Sequence, residues 1–139
     1  MELNFKGIAG AQGYRLSNPS VLATIALLGS TTVFDKTNMN DLCKKSRDLT
    51  GYLEYLILKW IPSNRVVIIT PSDPNQRGCQ LSLLFLVPRE MMKVFHLLSE
   101  AGIVCDERKP DVIRVAPTPL YNTFSDVWNF VSTLCQTLQ

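Results

Sequence analysis

Residues that build metal and redox sites are scarce in this sequence. It contains one histidine, His96, and four cysteines, with no C-x-x-C pair. Structural zinc needs ligands clustered at short spacing, so we expect no metal site. A single histidine without a fixed partner predicts a structural role. Each cysteine stands in an apolar context, which predicts reduced, buried thiols at Cys43, Cys79, Cys105 and Cys135.

Charge of one sign and long apolar runs are also lacking. Fourteen basic and twelve acidic residues leave a net charge of +2, and no basic cluster extends beyond Lys44 and Lys45. Because nucleic-acid binding needs a basic stripe, we expect no nucleic-acid partner. No apolar run reaches the roughly 18 residues of a membrane span, and Glu2, Asn4 and Lys6 interrupt any signal-peptide core. With 46% hydrophobic and 19% charged residues, the composition predicts a globular, cytoplasmic protein without a membrane segment.

Helix and strand patterns alternate over most of the chain. Helices are predicted at 19–35, 38–61, 88–101 and from Thr123 onward, and strands at 66–70, 79–87, 103–105 and 112–116. The strand at 79–87 is predicted to be central, because its second half is apolar on both faces. This order, α-α-β-β-α-β-β-α, predicts an α+β fold: a small antiparallel sheet with helices packed mainly on one face.

Residues at the ends of these elements support their bounds. Asn18 is a strong N-cap candidate for the first helix, and Thr123 and Asp126 form a T-x-x-D capping box for the last. The first 18 residues carry three glycines but lack the lysine and hydroxyl of a phosphate loop. We therefore predict an irregular segment at 1–18 that joins or faces another domain, followed by one small α+β domain at 19–139.

An arginine stands in the middle of the last predicted strand. Arg114 lies in the run V-I-R-V, which ends at two prolines. A guanidinium on a strand must face water or hold an anion, because burying an unpaired charge is costly. Its planar fork suits a carboxylate, to which it donates two parallel hydrogen bonds. The residue type alone leaves two interpretations open, a solvent-facing strand residue and a carboxylate-binding residue.

Five blocks of sequence point to a known family. They are G-Y-R-L-S-N-P at 13–19, L-T-G-Y-L-E-Y-L-I at 49–57, R-G-C-Q-L at 77–81, G-I-V-C-D at 102–106 and D-V-I-R-V-A-P-T-P-L-Y-N at 111–122. In this order they resemble the C-terminal portion of the kynureninase family. The resemblance covers almost the whole chain and is weakest at 59–76.

The resemblance implies the C-terminal small domain of a fold-type-I enzyme that depends on pyridoxal 5'-phosphate (PLP). Such an enzyme, a cytoplasmic homodimer, hydrolyses L-kynurenine or 3-hydroxykynurenine to anthranilate or 3-hydroxyanthranilate plus L-alanine, in tryptophan catabolism and NAD biosynthesis. The family pattern implies that Arg114 binds the α-carboxylate of the substrate. It also implies that Ser17 and Asn18 line the substrate pocket and that Asn18 contacts the cofactor.

The resemblance also implies what this chain does not contain. Members of the family hold PLP on a lysine of an N-terminal large domain, where an aspartate pairs with the pyridinium nitrogen. The chain has no counterpart of that domain, so we expect no catalytic residue in it and no activity of the chain alone. One departure is Ser20, which stands where some members have a second proline and affects the start of the first helix.

Other interpretations stay open at this point. Ser17 and Asn18 could serve only as helix caps, and the chain could be a non-catalytic α+β module that binds a small acid or another subunit. The small domain of a cysteine desulfurase is disfavoured, because no cysteine lies in a predicted mobile, exposed loop. Arg77 is predicted to be structural, and Tyr121 and Asn122 are predicted to brace the loop after Arg114.

Overall fold

The computed structural model describes residues 6–138, which fall into two compact units, one ending at Asn38 and one beginning at Met39. The first unit contains a single turn of 3-10 helix, Ala11–Tyr14, within the segment predicted to be irregular. It also contains the first α-helix, α1, Val21–Phe34.

Helix α1 begins two residues later than predicted. Its N-cap is Ser20, whose hydroxyl oxygen accepts a hydrogen bond from the backbone N–H of Ala23 at 3.4 Å. The prediction that Asn18 caps this helix is therefore wrong. Ser20 offers an equivalent capping oxygen and has the extended backbone that an N-cap needs, so the helix starts after Pro19 rather than on it.

Helix α1 buries none of its residues. Its large apolar residues are well exposed, with exposed fractions between 45% for Val33 and Phe34 and 81% for Leu22. Apolar residues lie around most of its circumference, among them Val21, Leu22, Ile25, Leu27 and Leu28. A helix that is apolar on every side is normally buried against other structure. Helix α1 therefore presents an association surface.

The second unit contains three helices and a four-stranded sheet. The helices are α2 (Met39–Trp60), α3 (Glu90–Glu100) and α4 (Phe124–Thr137), and the strands are β1 (Val66–Ile68), β2 (Leu81–Phe85), β3 (Asp106–Arg108) and β4 (Val112–Val115). The strand order is β1-β2-β4-β3, and every neighbouring pair is antiparallel. The predicted order of elements and the antiparallel sheet are confirmed. Within residues 6–138, no helix has the length and apolar character of a membrane-crossing segment.

The helices of the second unit pack on one face of the sheet, as predicted. Leu81, Leu83 and Phe85 of β2 and Ile113 of β4 are buried in one core with residues of α2, α3 and α4. Successive side chains of a strand point to opposite faces, so Arg114 lies on the other face, here called the outer face. Strand β2 lies between β1 and β4, which confirms the prediction of a central strand.

Strand β3 lies three residues later than predicted. The hydrophobic residues at 103–105 predicted a strand there, whereas β3 spans Asp106–Arg108. It pairs with β4 in the register Asp106↔Arg114, Glu107↔Ile113 and Arg108↔Val112. Charged side chains are common on an edge strand, because they discourage pairing with other chains. The prediction from hydrophobicity alone therefore placed this strand at the wrong residues.

Helix α4 begins with the predicted capping box. The hydroxyl of Thr123 accepts a hydrogen bond from the backbone N–H of Asp126 at 3.3 Å, and the carboxylate of Asp126 accepts one from the N–H of Thr123 at 2.8 Å. These bonds, with the backbone bond from Thr123 the strongest influence, lower the pKa of Asp126 below its usual value. The cap fixes the start of the helix that covers the core face of the sheet.

Candidate functional site

Arg114 lies on β4, on the outer face of the sheet. Directly opposite it are Ser82 on β2 and Asp106 on β3. Its neighbour Ile113 is fully buried, whereas 32% of the Arg114 side chain is exposed. Because β4 is paired on both sides, the backbone of Arg114 is fixed while its guanidinium remains accessible from the outer face.

Two guanidinium groups share one carboxylate beside this position. The Nε of Arg114 donates a hydrogen bond to Oδ2 of Asp106 at 2.5 Å, and Nη2 of Arg114 donates to the same oxygen. The Nη2 of Arg108 lies 3.1 Å from that oxygen. We call these three residues the arginine cluster. Two positive charges face one negative charge, so the cluster is net positive and attracts anions.

Asp106 occupies only one edge of the Arg114 guanidinium. The edge formed by Nε and Nη2 faces Asp106, and the structure gives Nη1 no hydrogen-bond partner among residues 6–138. The end of the guanidinium, formed by Nη1 and the second N–H of Nη2, can therefore still donate two parallel hydrogen bonds. This is the geometry in which arginine binds a carboxylate.

The pairing of the hairpin β3–β4 with β2 determines which way Arg114 faces. The N–H of Phe85 donates a hydrogen bond to the carbonyl of Asp111 at 2.8 Å, which ties the end of the hairpin turn to β2. A shift of one residue in β4 would exchange the faces of Arg114 and Ile113. Because Ile113 is fully buried, the core selects the register in which Arg114 faces outward.

The loop after β4 is braced by Asn122, as predicted. Its Oδ1 accepts a hydrogen bond from the N–H of Thr118 at 2.8 Å, and its own N–H donates to the carbonyl of Thr118 at 2.9 Å. Pro117 is buried, whereas Tyr121 is 71% exposed. The side chain and the backbone of Asn122 thus both hold the loop that leaves the strand of Arg114, and the ring of Tyr121 remains accessible.

Ser17 and Asn18 lie in an exposed bend between the 3-10 helix and α1. Neither side chain makes a hydrogen bond within residues 6–138, and the capping role belongs to Ser20. Ser17 and Asn18 belong to the first unit and Arg114 to the second. Their assignment to one pocket with Arg114 therefore stays a prediction.

Sequence reasoning did not identify Asp106 and Arg108 as partners of Arg114. Asp106 follows the strand predicted at 103–105, and Arg108 lies outside every predicted strand. The signal that could have found them is the distance from the hairpin turn, because a turn at 109–111 sets Asp106 opposite Arg114. Opposite charges directly across an antiparallel pair stabilise it. A strand at 106–108 therefore explains why charged residues stand there, which a prediction from hydrophobicity does not.

A cavity of about 720 Å³ lies beside the end of β4. Its lining includes Ile103, Cys105, Val115, Pro117 and Val127 but not the arginine cluster. Burial raises the pKa of Cys105 to about 11, so this thiol is protonated at neutral pH and is not the reactive thiolate of cysteine chemistry.

The prediction of buried cysteines is wrong. All four are free, but Cys43 is exposed and the other three are only half-buried. Cys43 follows the buried Leu42 on α2, and successive side chains of a helix point about 100° apart. His96 is exposed on α3. Nowhere in residues 6–138 do three or more His, Cys, Asp or Glu side chains gather as metal ligands.

Arg77 forms a structural clamp, as predicted. It donates hydrogen bonds to Oε2 of Glu54 on α2 at 2.6 Å and to the carbonyl of Pro71 at 3.2 Å. The hydroxyl of Ser72 donates to Oε1 of Glu54 at 2.5 Å. Burial raises the pKa of Glu54, but the hydrogen bonds from Arg77 and Ser72 and the charge of Arg77 bring it below its usual value. The clamp joins α2 to the loop between β1 and β2.

Curated relatives match over nearly the whole chain. It is 52% identical to kynureninase 2 of Aspergillus fumigatus over 141 aligned positions, which cover 100% of this chain and 30% of the relative. It is 54% identical to kynureninase 2 of Aspergillus oryzae (95% of this chain, 28% of the relative) and 51% identical to the kynureninase of Sclerotinia sclerotiorum (94% and 28%). The chain thus spans about 30% of the length of these relatives.

Solved structures share the fold. A C-DES mutant with glycine covalently linked to its PLP cofactor superimposes with a TM-score of 0.64 at 14% identity, covering 94% of this chain and 33% of that one. A NifS-like protein gives a TM-score of 0.56 at 23% identity, covering 69% of this chain and 28% of that one. These likenesses confirm the predicted fold class.

A family model covers the part of the chain that carries the arginine cluster. The model of the kynureninase C-terminal domain matches residues 42–134, from α2 to α4. This match and the identities of 51 to 54% with curated relatives confirm the resemblance found in the five sequence blocks. The chain belongs to the kynureninase C-terminal domain family.

Proposed function

We propose that this chain is the C-terminal, substrate-binding portion of a kynureninase. The proposed reaction is the PLP-dependent hydrolysis of L-kynurenine or 3-hydroxykynurenine to anthranilate or 3-hydroxyanthranilate plus L-alanine. Identities of 51 to 54% with proteins named kynureninase support it. The observation that carries it is the Arg114 guanidinium, fixed on the outer face of the sheet with the two donors at its end available.

In this proposal Arg114 binds the α-carboxylate of the amino-acid substrate. A guanidinium donates to both oxygens of a carboxylate at once, so it fixes the orientation of the substrate as well as neutralising its charge. An oriented substrate presents its scissile bond in one geometry, which lowers the entropic part of the barrier. The strand position supports this role, because the Arg114 backbone is paired on both sides.

Ser17 and Asn18 are proposed to line the same pocket, with Asn18 contacting both substrate and cofactor. Their polar groups are exposed and unengaged within residues 6–138. The Asn18 amide offers both donors and an acceptor, and the Ser17 hydroxyl offers one donor and an acceptor. Because Ser20 caps α1, a capping role no longer accounts for Asn18.

The described residues do not fit the covalent site of PLP. The lysine side chains are exposed except that of Lys45, which is half-buried, at positions Lys6, Lys36, Lys44, Lys45, Lys59, Lys93 and Lys109. A hydrogen bond with Tyr55 raises the pKa of Lys59, and a protonated amine is not a nucleophile. We therefore assign the cofactor lysine and its aspartate partner to the N-terminal large domain of the complete enzyme, and no catalytic residue to this chain.

The proposed main partner of this chain is that large domain, and the exposed apolar surface of α1 supports it. An exposed patch of this kind is typical of a surface that another part of a protein covers. Leu22 is 81% exposed and Leu27 is 64% exposed, which would be costly in a helix that remained in water. By the family resemblance, we also propose that the complete enzyme is a cytoplasmic homodimer.

A joined enzyme tests the proposed function. In it, this chain replaces the aligned region of Aspergillus fumigatus kynureninase 2. We expect the joined enzyme to release anthranilate from L-kynurenine and the chain alone to release none. Arg114→Lys should lower kcat/KM roughly tenfold or more while PLP stays bound. A joined enzyme that folds and binds PLP but does not convert either kynurenine would favour the alternative, a non-catalytic module that binds a small acid.

A further inference from the structure

We propose that Asp106 is the positioning residue of the carboxylate site. In this proposal, its carboxylate fixes the guanidinium of Arg114 so that the Nη1–Nη2 end faces the substrate. The proposal rests on the proposed function, because it needs Arg114 to bind the α-carboxylate.

The two edges of the Arg114 guanidinium have different roles in this proposal: one binds Asp106 and the other binds the substrate. Both hydrogen bonds to Asp106 come from the side edge, Nε and Nη2. A substrate carboxylate bound at the end edge would use Nη1 and the remaining N–H of Nη2. The two carboxylates can therefore bind Arg114 at the same time, so Asp106 acts as a holder and does not have to be displaced.

The sheet register makes this hold specific. Asp106 and Arg114 are directly opposite on β3 and β4, and Arg108 lies two residues along β3 on the same face. An arginine side chain on a sheet surface has many rotamers, and ordering it costs conformational entropy. The hydrogen bonds to Asp106 order the Arg114 side chain during folding, so the guanidinium is already oriented when the substrate binds.

Asp106 also contacts Arg108, so it pairs with two arginines at once. The Nη2 of Arg108 lies 3.1 Å from the oxygen that Arg114 also binds, so Asp106 separates two like charges. Without the carboxylate, Arg108 and Arg114 would be neighbouring cations on one face of the hairpin, and like charges on adjacent strands repel. The loss of Asp106 would therefore both release Arg114 and push it away from its present position.

A competing effect has the opposite sign. Asp106 is itself an anion near the proposed substrate anion, so its removal lifts a repulsion and would tighten binding. The side chains of Asp106, Arg108 and Arg114 are 47%, 56% and 32% exposed, and exposed charges are screened by water and salt. Screening weakens both this repulsion and the one between Arg108 and Arg114, whereas Asp106 holds Arg114 through direct hydrogen bonds. The orientation lost should therefore outweigh the repulsion lifted, and the experiment decides this sign.

The test is Asp106→Asn in the joined enzyme, measured with L-kynurenine and with its α-carboxamide. The matched control is Glu107→Gln on the same strand, whose carboxylate lies 3.8 Å from Lys109 and does not contact Arg114. For Asp106→Asn we expect kcat/KM for kynurenine to fall about tenfold, mainly through KM, and kcat/KM for the carboxamide to fall less than about twofold. For Glu107→Gln we expect less than about twofold for both substrates.

The ratio of the two kcat/KM values distinguishes positioning from misfolding, because a smaller folded fraction lowers both values equally. An unchanged or increased preference for the carboxylate in Asp106→Asn would overturn the proposal, and an increase would identify Asp106 as a competitor of the substrate. If Arg114→Lys leaves the preference unchanged as well, the carboxylate assignment of Arg114 fails. If Arg114→Lys lowers the preference and Asp106→Asn does not, only the role of Asp106 fails.

Discussion

Replacing Arg77 with methionine should destabilise the second unit, because it leaves the carboxylate of Glu54 without its cation. The side chains of Arg77 and Glu54 are only 4% and 13% exposed. The substitution removes a charged hydrogen bond to Glu54 at 2.6 Å and a second bond to the carbonyl of Pro71 at 3.2 Å. Hydrogen bonds to charged groups contribute about 1.5–3 kcal/mol, and an uncompensated buried charge costs more. Because Glu54 keeps its bond from Ser72 and some contact with water, we expect a loss of roughly 2–4 kcal/mol in the free energy of unfolding at pH 7.

The effect should depend on pH in a definite direction. In the wild type the pKa of Glu54 is lowered, despite the opposing effect of burial, by Arg77 and Ser72. A lowered pKa in the folded state stabilises the fold above the pKa of the unfolded chain, and this stabilisation is lost as pH falls through the folded value. Without Arg77, burial favours the protonated form of Glu54. The difference between variant and wild type should therefore shrink as pH falls through the ordinary pKa of a glutamate, about 4.3, and on toward the lowered pKa of Glu54 in the wild type.

Urea unfolding of the chain at pH 7 and at acidic pH, followed by circular dichroism, measures both effects. Lys109→Met is the control, because it removes the pair Lys109–Glu107, whose side chains are 70% and 34% exposed, and it should cost less than about 1 kcal/mol. Combining Arg77→Met with Glu54→Leu removes the unpaired carboxylate and should restore most of the stability. A cost of Arg77→Met below about 1 kcal/mol at pH 7, or one that does not change with pH, would refute the reasoning.

Three further predictions concern the first unit and the cofactor. Ser20→Ala should destabilise α1 by about 1 kcal/mol, seen as faster amide hydrogen exchange in its first turn. Asn18→Asp should leave that exchange unchanged but lower the activity of the joined enzyme, and an unchanged activity would remove Asn18 from the pocket. Titration of the chain with PLP, borohydride reduction and peptide mapping should detect no saturable labelling of a single lysine, because solvated lysines remain protonated. Saturable labelling of one lysine, with turnover of kynurenine, would contradict the assignment of the cofactor to another domain.

The order of elements was predictable because local signals agreed with the packing. The capping box of Thr123 and Asp126 formed as expected, and strand β4 lies within one residue of its predicted end. In contrast, the cap of α1 could not be assigned from residue types, because Asn18 and Ser20 cap equally well. The exposure of α1 was also beyond local signals, since helical spacing of leucines indicates a helix but not what covers it.

The site was predictable only in part. Arg114 stood out because a charge interrupts an apolar strand, and the resemblance supplied its role. Asp106 and Arg108 could not be placed without the register of the β3–β4 hairpin. The apolar residues at 103–105 predicted a strand that ends before Asp106, so this register could not be inferred from hydrophobicity. The cross-strand neighbours of a charged residue on a sheet surface determine its contacts, so these contacts can be predicted only when the strand pairing is known.

The most direct measurement of the central claim is the preference of the joined enzyme for L-kynurenine over its α-carboxamide, compared between wild type and Arg114→Lys. The matched control is Arg65→Lys, because Arg65 has the same 32% side-chain exposure and also pairs with a carboxylate, that of Glu90. The account predicts that Arg114→Lys lowers this preference roughly tenfold with PLP still bound, while Arg65→Lys leaves it unchanged within about twofold. Equal preferences in the wild type and Arg114→Lys would contradict the claim that this chain supplies the carboxylate-binding arginine of a kynureninase.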